Sequence, residues 1–288
     1  MTQEQVWFIT GSSRGLGRAL ATAALDAGDR VVATARDPKQ LDGLVEKYGD
    51  RVMPLALDVT DADQARTALA AGNARFGRLD VIVNNAGYSN VSPIESTVDE
   101  DFREQFETNF WGVYNVSKAA IPVLRAQGGG LVMQFSSIGG RLGGSPGIAS
   151  YQAAKFAIDG FSRVLRVETA PFGVKVLVVE PSGFKTDWAG SSMTVHEIPE
   201  GYESTVGAMN SRMRQNPIGP AGDPERAASI LVQVAKREDI PYHLPLGVNA
   251  VEGAIMLDRS LLESDQRWAA VGRSADFAES YPVDLPAE

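Results

Sequence analysis

Short apolar runs alternate with longer segments of helical pattern along most of this chain. The apolar runs, rich in β-branched residues, lie at 6–10, 30–35, 52–57, 79–84, 130–136, 174–180 and 242–247. The segments of helix length lie between them, at 15–28, 38–47, 61–76, 99–126, 150–170 and 223–237. Several of the runs are apolar at successive positions, as in strands that are covered on both faces. The pattern therefore predicts an α/β fold, with a doubly wound parallel sheet of about seven strands and helices on both faces.

The alternation breaks between 185 and 222, a stretch rich in Gly, Pro, Ser and Met. An insertion of this length is either a flap over a site or a plain surface excursion. Beyond Gly247 a helical pattern continues over 250–271, and a polar tail with prolines follows. We expect one domain over 1–250, including the flap at about 185–222, with 251–288 packed on it as a C-terminal helix and tail.

Composition and charge exclude several classes of protein. The chain has 288 residues, is 44% hydrophobic and carries a net charge of −9, so it can bury a substantial core and is a poor match for nucleic acid or anionic lipid. It has no cysteine, which excludes disulfides and a thiol nucleophile. His196 and His243 lack metal-ligand spacing, and no metal is expected. The start has no signal-peptide pattern and no run is long enough for a membrane span, so we expect a cytoplasmic protein.

Three glycines follow the first predicted strand directly. Gly11, Gly15 and Gly17 stand at the start of the first predicted helix, with the spacing G-x-x-x-G-x-G. Glycines at this place let the backbone turn tightly and approach a pyrophosphate, while the helix N-terminus supplies N–H donors. The alternative is an ordinary turn. The strand-loop-helix context favours nucleotide binding.

A second pattern places Tyr151 and Lys155 four residues apart in an Ala-rich helical segment. This spacing puts the two side chains on one face of a helix. A free tyrosine has a pKa of about 10, and a nearby ammonium group favours the phenolate and lowers that pKa. The pair is therefore either an acid-base site or a simple packing contact between a ring and a lysine stem.

Together these patterns carry a family resemblance. The motifs, in chain order, are TGSSRGLG (10–17), NNAG (84–87), Asn109 in TNFWG, the serines of FSS (135–137) and YQAAK (151–155). With them the chain resembles a short-chain dehydrogenase/reductase over about residues 5–250. The resemblance implies a Rossmann-type catalytic domain, a nicotinamide cofactor, and hydride transfer between an alcohol and a carbonyl.

The resemblance also implies catalytic roles for Asn109, Ser137, Tyr151 and Lys155. Tyr151 is expected to be the general acid in reduction and the general base in oxidation, with Lys155 lowering its pKa and binding the nicotinamide ribose. Ser137 is expected to bond the substrate oxygen, with Ser136 as the competing choice, because the interval from Ser137 to Tyr151 is one residue longer than is usual in the family. Asn109 matches the asparagine that holds a water beside the lysine; the alternative is a polar residue satisfied inside its helix.

Further positions match the family's cofactor contacts. They are Gly11, Ser13, Arg14, Gly15, Leu16, Gly17, Arg36, Asp58, Val59, Asn84, Ala86, Gly87, Tyr151, Lys155, Pro181 and Thr186. By the resemblance, Asp58 accepts a bond from the adenine amino group, and Thr186 binds the carboxamide of nicotinamide. The chain departs from the family at Ser182, where glycine is usual, and this departure bears on the loop that carries Thr186.

The end of the second predicted strand indicates the choice of cofactor. Relatives that use NAD typically have an acidic residue there, which binds the ribose hydroxyls and repels a 2′-phosphate. This chain has Ala35 at that place and Arg36 next, and Arg14 stands in the glycine loop. Arginine offers phosphate a fork of donors, so we expect NADP(H), although Asp37 follows one position later.

Apolar residues in and near the flap indicate the kind of substrate. They are Phe184, Trp188, Met193, Tyr202, Met209 and Met213. Such a cleft favours a moderately hydrophobic carbonyl or alcohol. The resemblance further implies a homodimer that pairs through the helices of 99–126 and 150–170. Two alternatives to a carbonyl reductase or alcohol dehydrogenase stay open: a non-redox isomerase or dehydratase of the same family, and a catalytically silent nucleotide-binding regulatory protein.

Overall fold

Seven parallel strands form one sheet at the centre of the molecule. The structure is a computed structural model that describes residues 4–186, 193–215 and 222–286. In the sheet the strands lie in the order β3-β2-β1-β4-β5-β6-β7. Their bounds are β1 Val6–Ile9, β2 Arg30–Ala35, β3 Val52–Ala56, β4 Val81–Asn84, β5 Gly130–Phe135, β6 Val174–Pro181 and β7 His243–Leu246. The predicted doubly wound parallel sheet is thus confirmed, and every predicted strand is present within a few residues.

Helices cover both faces of this sheet. Their bounds are α1 Gly15–Asp26, α2 Asp42–Tyr48, α3 Ala62–Phe76, α4 Asp99–Phe106, α5 Gly112–Ala126, α6 Gly139–Leu142, α7 Ala149–Thr169, α8 Ala208–Gln215, α9 Pro224–Ala235 and α10 Val248–Arg273. The predicted helix 99–126 contains a π-helical turn, Glu107–Trp111, between α4 and α5. None of the helices in the described ranges is long and apolar enough to span a membrane.

Alternate side chains of the strands divide the core into two layers. Trp7 and Ile9 of β1 pack with α1, α2 and α9 on one face, whereas Phe8 packs with α3, α5 and α7 on the other. All four β1 residues are buried, which explains why the strand is apolar at every position. In α10 the buried side of the helix is confined to its first turns, at Ala250, Gly253 and Ala254.

The strand order reverses between β1 and β4, and this point positions the site. The chain leaves β1 toward β2 on one side, and β4 pairs with β1 on the other. In an open parallel sheet the carboxyl ends of the strands at such a switch point leave a crevice for a ligand. The glycine loop follows β1, the NNAG segment ends β4, and the paired serines follow β5, so three motifs meet at this edge.

Candidate active site

The glycine loop leads from β1 into α1 with its backbone open toward a cleft. Gly11 and Gly15 have φ values of +67° and +56°, which residues other than glycine rarely adopt. The N-cap residue of α1, Arg14, makes no side-chain cap, and the first turn contains no acidic residue. The N-terminus of α1 therefore keeps its positive potential for an anion, and the loop fits a dinucleotide pyrophosphate.

Gly17 has a different role from the other two glycines. It is buried in α1 and does not line the cleft. A Cβ atom at this position would lie 2.3 Å from the carbonyl oxygen of Gly11. Gly17 therefore allows the helix to pack closely on the loop, and its assignment as a cofactor contact stays a prediction.

The two asparagines of the NNAG segment lie in different surroundings. Asn84 is buried in the sheet, where its Nδ2 donates to Ser117 Oγ (3.0 Å) and Gln134 Oε1 (2.8 Å), and it does not reach the cleft. Asn85 lines the cleft instead, and its Nδ2 donates to the carbonyl oxygens of Thr10 (3.0 Å) and Gly11 (3.2 Å). Asn85 thus joins the β4 loop to the glycine loop, and the cofactor role of Asn84 stays a prediction.

At the end of β2 the cleft has a cationic rim. Ala35 is buried, whereas Arg36 and Arg14 are exposed and form no ion pair with any described residue. The Asp37 carboxylate accepts a hydrogen bond from the Lys39 N–H (3.1 Å) and caps a short 3-10 helix. Asp58 Oδ1 accepts a hydrogen bond from the Thr60 hydroxyl at 2.7 Å. The rim therefore offers two arginines that the protein itself does not neutralise.

Tyr151 and Lys155 lie on α7, one turn apart, and both are buried at the cleft wall. Burial raises the pKa of Tyr151 to about 12, and a hydrogen bond with the Ser137 side chain acts in the opposite direction. Burial lowers the pKa of Lys155 to about 7, while its Nζ donates to the Phe135 carbonyl at 2.7 Å. In the protein alone the pKa of Tyr151 is thus raised by burial and not lowered as the spacing predicts, and the tyrosine keeps its proton.

The two serines after β5 point to different partners. Ser136 Oγ donates to the backbone carbonyl of Lys155 (3.0 Å) and is buried. Ser137 Oγ accepts the Gly139 N–H (3.0 Å) and is hydrogen-bonded to Tyr151. Ser136 therefore fixes α7 to the strand end, and Ser137 stands beside the phenol. This geometry favours Ser137 over Ser136, despite the longer interval.

Asn109 lies in the π-helical turn behind this wall and is fully buried. Its Nδ2 donates to the carbonyl oxygens of Tyr88 and Gln105, both at 2.8 Å, and its Oδ1 accepts the Tyr88 N–H at 3.1 Å. The side chain is thus satisfied by backbone groups, as the alternative reading of this residue expects. Its water-binding role stays a prediction.

One cleft of about 1530 Å³ joins these groups. The cleft-lining residues among the predicted sites are Gly11, Ser13, Arg14, Gly15, Leu16, Arg36, Asp58, Val59, Ala86, Gly87, Ser137, Tyr151, Lys155, Pro181 and Thr186. Thr186 lies over the glycine loop, since a Cβ atom placed on Gly15 would be 3.7 Å from the Cβ atom of Thr186. The unusual Ser182 packs against Gly247, where a Cβ would lie 2.3 Å from the serine Oγ.

The substrate end of the cleft is bounded by apolar side chains and a few polar ones. Phe184, Met209 and Met213 line it, together with Asn90 and Gln152, which sequence reasoning missed. Two other predicted residues, Met193 and Tyr202, pack into the small apolar cluster around Tyr151. Trp188 lies outside the described residues. The missed polar residues had no motif to reveal them, although Gln152 adjoins Tyr151 in the sequence.

Both histidines pair with carboxylates. His196 Nε2 lies 3.3 Å from Asp101 Oδ2, and His243 Nε2 lies 2.6 Å from Asp159 Oδ1. The backbone N–H of His196 also donates to the Val91 carbonyl (2.9 Å), which attaches this part of the flap to the segment that follows β4. The contact with Asp159 accounts for His243 as a structural group, whereas His196 Nε2 has no hydrogen-bond partner among the described residues.

The fold and the cleft define a Rossmann-type nucleotide-binding protein with a serine, tyrosine and lysine at one wall. The chain belongs to the short-chain dehydrogenase/reductase family, since the family model for short chain dehydrogenase matches residues 5–195. It is accordingly an oxidoreductase, and its fold implies NAD(P)(H) binding.

Known proteins resemble the chain over nearly its whole length. Oxidoreductase BOA17 of Botryotinia fuckeliana is 49% identical over 265 residues, which cover 92% of this chain and 96% of that protein. The crystal structure of a short-chain dehydrogenase from Streptomyces avermitilis has a TM-score of 0.87 at 37% identity and covers 95% of this chain and 99% of its own. An alcohol dehydrogenase from the archaeon Thermococcus sibiricus, solved with 5-hydroxy-NADP, has a TM-score of 0.70 at 26% identity, over 85% of this chain and 96% of its own.

Proposed function

We propose that this protein is an NADP(H)-dependent carbonyl reductase or secondary alcohol dehydrogenase. The observation that carries the proposal is the Tyr151 phenol, hydrogen-bonded to Ser137 one helical turn from Lys155, on the wall of a cleft that begins at the glycine loop. A group that donates a proton and a group that bonds the same oxygen are what carbonyl reduction requires.

The residues of the cleft fit the cofactor from end to end. The glycine loop and the N-terminus of α1 would hold the pyrophosphate, Asp58 and Val59 the adenine, and Lys155 and Thr186 the nicotinamide half. When bound, the nicotinamide ring supplies the hydride in reduction and accepts it in oxidation. The protein's own task is to hold this ring and the substrate together, exclude water and move a proton.

Tyr151 is the proton donor in reduction. Its pKa of about 12 means that the phenol is protonated at neutral pH and is ready to act as an acid. Ser137 bonds the carbonyl oxygen as negative charge develops there, and its existing bond to the phenol already favours the phenolate. In oxidation the same phenolate accepts the alcohol proton, and the charged form of Lys155 stabilises it.

The preference for NADP(H) rests on the cationic rim. Arg36 and Arg14 are exposed and form no ion pair within the described residues, so a 2′-phosphate meets two unneutralised guanidinium groups. A hydrogen bond to a charged group contributes about 1.5–3 kcal/mol, and about 1.4 kcal/mol corresponds to tenfold in affinity. Two such bonds at the lower end of this range would give a preference of about a hundredfold. Because both arginines are exposed to solvent, which screens their charge, we expect a smaller preference of about tens of fold.

We propose in addition a homodimer and a moderately hydrophobic substrate. Trp111, Val164 and Val167 are exposed on the helices that the dimer uses, at 42%, 56% and 74%. Pairing of these helices would cover them, and light scattering at micromolar concentration would then give twice the chain mass. Phe184, Met209 and Met213 support the apolar substrate. The cytoplasmic location stays a prediction.

One experiment separates the proposal from its alternatives. Purified protein is incubated with NADPH and a panel of ketones and aldehydes, and both the reduced cofactor and the products are measured. A carbonyl reductase oxidises NADPH in step with alcohol formation, and the Y151F variant does not. Product without net cofactor change would indicate an isomerase or dehydratase, and tight NADPH binding without any product would indicate a regulatory protein.

A further inference from the structure

The side chain of Gln152 lines the cleft, and its NH₂ group makes no hydrogen bond with any described residue. Gln152 follows Tyr151 on α7, lines the cleft and is 7% exposed. Its Oε1 accepts the backbone N–H of Ser145 at 3.1 Å, which holds the loop between α6 and α7. Its Nε2 is buried and has no hydrogen-bond partner among the described residues.

The bond to Ser145 fixes which way the amide faces. A backbone N–H can only donate, so the atom that meets it must be the oxygen of the side chain. The NH₂ group is therefore directed away from Ser145, and exchanging the two atoms would break the bond. A buried amide donor without an acceptor is unfavourable, and native proteins retain few of them without a reason.

The position of this donor connects it with the reacting groups. A Cβ placed on Gly139 would lie 3.2 Å from Gln152 Nε2 and 3.4 Å from Ser137 Oγ. Gln152 Nε2 and Ser137 Oγ thus both lie beside Gly139, which also lines the cleft. In the proposed mechanism Ser137 is the residue that bonds the reacting oxygen.

We propose that Gln152 selects substrates that carry a second oxygen. Its Nε2 would donate to a hydroxyl or carbonyl oxygen on a carbon one or two positions from the reacting carbonyl, while Ser137 and Tyr151 bond the reacting oxygen. The preferred substrates are then α- or β-oxygenated ketones rather than simple ketones. This inference rests on the proposed carbonyl reductase activity.

Hydrogen-bond lengths support this substrate class. Each donor holds its acceptor at about 2.7–3.2 Å. Two donors that lie beside the same glycine can therefore bond two oxygens of one molecule when these oxygens are close neighbours, as they are in such ketones. A site built to bond a second oxygen also disfavours the analogue that lacks it, because its buried donor then stays unpaired.

The test compares kcat/KM for two ketones of equal chain length, one simple and one with a β-hydroxyl group. The wild type should prefer the oxygenated ketone about tenfold or more. Q152M should reduce this preference to within threefold by losing kcat/KM for the oxygenated ketone alone. Q152E keeps an acceptor for Ser145 but removes the donor, and it should lose the preference as well.

Gln105 offers a matched control. It is buried, its Oε1 accepts the Asn90 N–H (2.8 Å) at the cleft wall, and its Nε2 already donates to Asp101 (3.0 Å). Q105M should therefore change both kcat/KM values alike. If Q152M also lowers both alike, Gln152 only holds its loop and the inference is wrong. A wild type that reduces both ketones equally would overturn the inference alone, whereas one that reduces neither would overturn the proposed function as well.

Discussion

Replacing Arg141 by methionine should destabilise the protein, because the substitution removes the ion-pair partner of the buried Glu180 carboxylate. Arg141 lies on α6, four residues after Ser137, and its Nη1 donates to Glu180 Oε2 at 3.0 Å. Glu180 is 2% exposed, and burial raises its pKa, while His243 and Arg141 act in the opposite direction. A second bond from Arg141 reaches Asp258 of α10 at 2.7 Å, but that side chain is 58% exposed.

The expected cost follows from these exposures. Removing one partner of a buried ion pair costs about 3–5 kcal/mol, whereas an exposed pair such as Arg141–Asp258 contributes about 0–1 kcal/mol. Because Glu180 already has a raised pKa, it can take up a proton when the guanidinium is lost, which limits the loss. We therefore expect R141M to lower the free energy of unfolding by about 3 kcal/mol at neutral pH.

The pH dependence gives the sharper test. In R141M the folded-state pKa of Glu180 lies further above its unfolded value, so the folded state is favoured below the unfolded pKa and loses stability as pH rises through the folded pKa. Urea unfolding should therefore show a smaller cost near pH 5 than near pH 8. The double variant R141M/E180Q should recover most of the loss, and D258N serves as the control with a loss below about 1 kcal/mol. A cost of R141M that is independent of pH and unaffected by E180Q would refute the reasoning.

Three other predictions concern the cleft. Tyr151→Phe should reduce kcat by at least a thousandfold while the Kd for NADPH, measured by fluorescence, changes less than threefold; activity within tenfold of wild type would exclude Tyr151 as the acid. Ser137→Ala should lower kcat/KM by about 10²–10³, the usual cost of one oxyanion donor, whereas Ser136→Ala should chiefly lower the melting temperature; the opposite order would reassign the role. Ala35→Asp/Arg36→Ala should weaken NADPH binding by about tens of fold and improve NADH binding, as isothermal calorimetry can measure; equal affinity of the wild type for both cofactors would contradict the cationic rim.

Sequence reasoning was most reliable where a motif and a strand end coincide. The glycine loop, the paired serines and the tyrosine-lysine pair are local patterns, and a parallel sheet brings the ends of its strands to one edge. The order of the strands could not be read in the same way, but the β-α alternation restricted it to a doubly wound arrangement. The fold and most of the cleft lining were therefore within reach of the sequence.

Neighbouring asparagines show where this reasoning ends. Asn84 and Asn85 have the same side chain and differ by one position, yet one is the last residue of β4 and the other begins the loop. Asn84 still lies inside the sheet, whereas Asn85 lies just past its carboxyl edge, where the cleft begins, so one residue decides between the core and the cleft. The contacts of Gln152 and Arg141 were also beyond the sequence, because they depend on residues brought together from separate strands, helices and loops.

The tyrosine-lysine pair also shows what spacing alone cannot decide. Four residues on a helix place the ammonium near the phenol, and Lys155 Nζ lies 5.5 Å from the centre of the Tyr151 ring. Both groups are buried, however, and burial disfavours the charged form of each, raising one pKa and lowering the other. Neutral phenol is the form that reduction uses, because the proton must stay on the tyrosine until the carbonyl oxygen becomes negative. The hydrogen bond with Ser137 lowers the pKa of Tyr151 and so acts against burial. The serine is therefore coupled to the tyrosine and, in the proposed mechanism, also to the substrate oxygen, so its removal should affect both.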